Sequence, residues 1–153
     1  MSRKILILLT LVATTYLNGC ASVPMASVDN DTVRKSFPSP SPGTAGLYIY
    51  RNTTLGGALK RDIFIDGERV AETAPMTYFY FEVQGGTRKL STESEFSPND
   101  LILYVEEGNN YFIRQSMRLG VFVGGSDLEQ VSEEEGREGV LECKLGKNLI
   151  DIE

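Results

Sequence analysis

The chain has 153 residues, 15 Lys and Arg against 21 Asp and Glu, two Cys and no His. Without histidine there is no Ser–His–Asp triad, no Cys–His pair and no His metal site, and a net charge of −6 is the wrong sign for a nucleic-acid partner, which needs a basic patch. That length allows one domain with appendages, and a 41% hydrophobic share allows a modest core.

The amino terminus reads as an address. Arg3 and Lys4 precede an apolar run of 13 residues, Ile5 to Leu17, interrupted only by threonines 10, 14 and 15. A spanning helix needs about 20 apolar residues, whereas a signal peptide needs fewer. Leu17-Asn18-Gly19-Cys20 follows and resembles the lipobox of bacterial lipoproteins, with Asn18 standing where that motif favours a small or hydroxyl residue. The resemblance implies a signal peptide over 1–19, cleavage after Gly19 and acylation (a palmitate-like lipid) at Cys20. It implies three acyl chains, and two already anchor stably. Ala21, where an Asp would favour inner-membrane retention, points to the outer membrane of a Gram-negative cell. Cleavage leaves 13 basic against 21 acidic residues, so the acidic domain is expected to stand off from anionic lipid. With Cys20 acylated, Cys143 has no intramolecular partner and is expected to be a buried small hydrophobe.

Residues 20–43 lack apolar periodicity and end in Ser36-Phe37-Pro38-Ser39-Pro40-Ser41-Pro42-Gly43. Alternate prolines disfavour helix and sheet, which predicts a disordered Pro/Ser-rich spacer reaching at most roughly 70 Å.

Residues 44–153 predict a β-rich domain. Ala45–Arg51 alternates, with Leu47 and Ile49 on one face and Tyr48 and Tyr50 on the other. Asp62–Ile65 and Arg69–Thr73 flank Asp66-Gly67, a strong hairpin signal. Thr77–Val83 is the most strand-like segment, and Gly85-Gly86 predicts a second hairpin into Thr87–Thr92. Leu101–Glu106, Tyr111–Met117, Val121–Val123 and Leu128–Val131 complete the strands. Ser132 and Glu135 fit a capping box for one short carboxyl-terminal helix, which Gly136 and Gly139 weaken by about 1 kcal/mol each. The fold class is therefore mainly β: an antiparallel sandwich or partly open barrel with that one helix.

Several segments carry a family resemblance: Gly46-Leu47-Tyr48-Ile49-Tyr50-Arg51, Ile65-Asp66-Gly67, Ala74-Pro75-Met76-Thr77-Tyr78, Ser91-Thr92-Glu93-Ser94-Glu95-Phe96 and Asn110-Tyr111-Phe112. Their succession over residues 44–145 resembles a family of small bacterial envelope lipoproteins catalogued as domain of unknown function 2846. The resemblance implies an envelope lipoprotein with a mostly β domain and supplies no catalytic residues.

Candidate chemistry is sparse. Glu93 and Glu95 sit two apart, on one face of an extended segment, as a carboxylate hydrolase of an envelope glycan would use them. Glu133-Glu134-Glu135 reads as a helix amino terminus, and nothing calls for a metal or cofactor. Tyr48, Tyr50, Tyr78 and Tyr80 would share one sheet face if their strands pair, which would suit a protein or polymer partner. The expectation is a non-enzymatic binding module, held to the membrane through Cys20 and presented to an envelope protein or peptidoglycan. The glycan hydrolase is the alternative.

Overall fold

A computed structural model describes residues 21–93, 99–118 and 125–149. The expected signal peptide over 1–19, Cys20, Glu95 and the expected strand 121–123 lie outside the described residues.

The elements run α1 (Val28–Arg34), β1 (Thr44–Arg51), β2 (Arg61–Ile65), β3 (Glu68–Thr73), β4 (Thr77–Gln84), β5 (Gly86–Thr92), β6 (Asn99–Val105), β7 (Asn110–Arg118), β8 (Gly125–Val131), α2 (Glu133–Glu142) and β9 (Lys144–Leu145). One sheet has the order β8-β7-β1-β4-β9 and the other β3-β2-β5-β6. They stack as a sandwich over Leu47, Ile49, Ile63, Phe79, Phe81, Leu90, Leu103 and Ile113, all drawn from strands with period-two alternation.

Two features depart from a simple meander. The larger sheet is mixed, because β1 pairs in parallel with β7 and β4 with β9. The Gly85-Gly86 pair does not make a hairpin: β4 belongs to the first sheet and β5 to the second, so the chain changes layer there. The glycines signal a sharp turn, but sequence alone does not say which sheet each strand joins. Asp66-Gly67 is a true hairpin, with φ of 51° and 89° as a type I′ turn demands. The Lys89 backbone N–H and the Arg88 guanidinium both bind the Asp66 carboxylate and hold its pKa below the ordinary range.

The segment 21–43 differs from the spacer its prolines predict. Val23 is buried in the sandwich core, Met25 bridges to Gly146, and α1 forms with Ser27 capping its amino end. The prolines at 38–42 lie beyond α1, where an irregular path suffices. What orders the segment is tertiary docking, since a seven-residue helix is too short to persist alone.

Candidate functional site

The four tyrosines meet as their alternation predicts. In the β1–β4 register Tyr48 faces Tyr80 and Tyr50 faces Tyr78. Phe112 joins them from β7, with its ring stacked 5.1 Å from that of Tyr48. The face is nevertheless not a free interaction surface: Tyr48, Tyr50 and Tyr78 are at most 1% exposed and Tyr80 is 6% exposed. Two covers explain the difference.

The first cover is a strap made of α1 and the residues that follow it. No residue of α1 is buried, so the strap is not held as an ordinary amphipathic helix is. Polar contacts hold it instead. The Tyr48 hydroxyl donates to the Arg34 carbonyl at 3.0 Å, and Lys35 Nζ donates to the Cys143 carbonyl at 2.6 Å. The Leu145 N–H donates to Asp31 Oδ1 at 3.1 Å, and Asn110 Nδ2 donates to the Pro38 carbonyl at 2.9 Å. The Arg34 guanidinium lies 3.9 Å over the Tyr80 ring, a cation–π contact. Phe37, at φ 52°, turns its ring inward to 5.4 Å from Tyr48, and Arg137 of α2 covers its other side at 4.8 Å.

The second cover is α2. Ser132 accepts the Glu135 N–H, but the Glu135 carboxylate reaches Arg114 rather than closing the capping box. The two glycines let the helix backbone lie directly on the rings. A Cβ on Gly136 would fall 2.1 Å from Phe112 Cβ, and one on Gly139 would fall 2.2 Å from Tyr50 Cε2. Their helix-weakening effect is thus offset by close packing, which no local pattern reveals.

Burial has an electrostatic consequence. Removing the phenols from water disfavours their ionised form and pushes Tyr48 and Tyr50 up to about 12, with Tyr78 and Tyr80 raised further. Cys143 is free and buried, and desolvation pushes its thiol up to about 12, the character of a structural cysteine.

Of the candidate carboxylate pair, Glu93 is described and Glu95 lies outside the described residues. Glu93 lies at the end of β5, half exposed, 4.0 Å from Arg61. Glu133 pairs with Arg137, while Glu135 pairs with Arg114.

Two arrangements were not foreseen. Arg51 is fully buried, and its guanidinium donates to the carbonyls of Leu59, Leu55 and Gly56 at 2.8–2.9 Å, bracing the 52–60 loop from beneath. A charged residue ending an apolar strand just before a Gly-Gly loop was the available signal. Between the sheets, Gln115 accepts from Thr73 Oγ1 at 2.6 Å and donates to Thr92 Oγ1 at 2.9 Å, and Thr92 meets Ser126. These groups satisfy one another, which makes their burial affordable and ties the layers together. A groove of about 780 Å³ runs between α1 and the β9 end, lined by Met25, Val33, Arg34, Tyr80, Lys147 and Asn148 among others, and is where the edge of Tyr80 reaches the surface.

Residues 41–126 match the family model described as "Protein of unknown function (DUF2846)", spanning β1 through the start of β8. An uncharacterized protein of Haemophilus influenzae is 53% identical over 129 residues, which cover 84% of this chain and 77% of that protein. No solved structure matches the chain.

Proposed function

This chain belongs to the DUF2846 family of proteins of unknown function, and from that premise we propose that it is a lipid-anchored protein of the cell envelope, tethered by an acylated Cys20 and serving as a non-enzymatic binding or interaction module. The observation that carries the proposal is the succession Arg3-Lys4, an apolar run over 5–17, and Gly19-Cys20. Ala21 directs the anchored protein to the outer membrane. The position of Glu93 supports a module over a hydrolase. Glu93 is half in water, 4.0 Å from the Arg61 guanidinium, and not enclosed in an apolar cleft. The partner on this proposal is an envelope protein or peptidoglycan.

Metabolic labelling with an alkyne fatty acid tests the anchor. The wild type should carry the label and fractionate with the outer membrane, and Cys20→Ser should lose both label and processing. A wild type that is processed yet carries no label would overturn the proposal.

A further inference from the structure

The described residues begin immediately after Cys20. The Ala21 N–H donates to the Gly57 carbonyl at 2.8 Å, and Val23 is already in the sandwich core. Consecutive Cα atoms are about 3.8 Å apart, so residue 20 has no slack between it and the domain. Ala21 lies at one particular end of the sandwich. The registers Arg51 with Thr77 and Arg61 with Thr73 place the 52–60 loop and the 74–76 turn there too.

The three segments nearest Ala21 are poor in charge. Segments 21–26, 52–60 and 74–76 contain one charged residue between them, Lys60. The connections at the opposite end carry Asp66, Glu106 and Glu107. Leu55 is 46% exposed and Ala58 is exposed, at the tip of the loop that Arg51 braces. A groove of about 370 Å³ opens beside Ala21, lined by Val23, Ala74, Pro75 and Met76 together with Glu142 and Lys144.

We propose that this end is a membrane-contact face, with the Leu55–Ala58 tip seated in the interfacial layer of the leaflet that holds the Cys20 lipid. The inference rests on the lipid-anchor proposal and adds the orientation. Acyl chains fix residue 20 at the boundary between headgroups and hydrocarbon, and the absence of slack draws Gly57 and its loop to the same depth. The loop drawn to the membrane carries no charge from Asn52 to Leu59, so it brings no carboxylate of its own to anionic lipid, while Glu72, Glu93 and Glu142 nearby are held by Lys60, Arg61 and Asn52. The acidic connections then point away from the membrane. This replaces the long stand-off that the proline-rich composition suggests.

The test uses the full-length acylated protein, reconstituted into vesicles of phosphatidylethanolamine and phosphatidylglycerol. An environment-sensitive dye is attached at Leu55→Cys, Ala58→Cys or Glu107→Cys, all exposed positions, while the buried Cys143 thiol stays unlabelled. Dye at 55 and 58 should shift to the blue and lose most of its emission to brominated lipid. Dye at 107 should behave as in water. The acyl mass at Cys20 is measured on the same samples. Acylated protein whose dyes at 55 and 58 remain in water overturns the orientation alone. Protein without acyl mass overturns the anchor and the orientation together.

Discussion

Replacing Gly139 with Ala sets helix propensity against packing. In an exposed helix the change stabilises by about 1 kcal/mol. Here the new methyl would lie 2.2 Å from Tyr50 Cε2, 2.6 Å from Cζ and 2.9 Å from the hydroxyl. Carbon atoms prefer about 3.5–4.0 Å, so either the helix lifts by more than an ångström or the ring turns. The ring is 1% exposed and packed among aromatics, so it has nowhere to go. Lifting α2 opens the packing around Val140, which is fully buried. Overpacking of this kind costs about 1–3 kcal/mol, and an overlap this large on a trapped ring belongs in the upper part of that range. After the propensity gain, Gly139→Ala should destabilise by about 1–2 kcal/mol. Urea unfolding followed by circular dichroism measures it, with an unchanged slope showing that stability alone moved. Glu134→Ala, on the exposed first turn, serves as the near-neutral control. A Gly139→Ala protein more stable than the wild type by the propensity increment would refute the close packing of α2 on Tyr50.

Other consequences are equally specific. Tyr48 and Tyr50 ionise near pH 12 in the folded protein, whereas ordinary tyrosines do so near 10. Their contribution to stability is therefore complete below pH 10 and is lost as pH rises toward 12, because the unfolded chain releases its protons first. Parallel phenolate absorbance and circular dichroism should show the tyrosines of this cluster ionising together with loss of fold, and their titration near pH 10 in a folded protein would contradict the buried cluster. Arg51→Met should strip three carbonyls of their donor and cost about 2–4 kcal/mol, less whatever water recovers at the loop. Protease cutting within 54–58 should appear with that variant, and Arg51→Lys should restore only part of the loss, since one ammonium cannot span three acceptors held by a planar fork. A loop as resistant as the wild type in Arg51→Met would show that the guanidinium does not brace it.

Strand positions were legible because period-two alternation and turn residues are local signals. β1, β4 and β7 fall within a residue or two of the segments their apolar pattern marks. The tyrosine face was legible for the same reason, since Tyr48, Tyr50, Tyr78 and Tyr80 follow from alternation plus pairing. Its covering was not. α1 buries no residue, so it has no apolar stripe to detect, and its attachment depends on single atoms such as Asp31 Oδ1 and the Arg34 carbonyl meeting partners more than ten residues away. Layer assignment was illegible too: Gly85-Gly86 announces a turn without saying whether the next strand pairs with the last. Nor does spacing say that Gly136 and Gly139 are small because rings lie beneath them.

Residues 21–43 belong to the folded domain rather than to a spacer, and their docking both closes the tyrosine face and brings Ala21 to the end of the sandwich. Hydrogen exchange of the full-length protein, read on a peptide spanning 28–37, tests it most directly. A seven-residue helix cannot protect itself, isolated helices needing about 12–15 residues to persist. Slow exchange at Asp31, Lys35 and Phe37, whose N–H groups are all hydrogen-bonded, therefore reports docking onto the tyrosines. Exchange of that peptide at the rate of an unstructured chain, with β1 and β4 fully protected, would contradict the account.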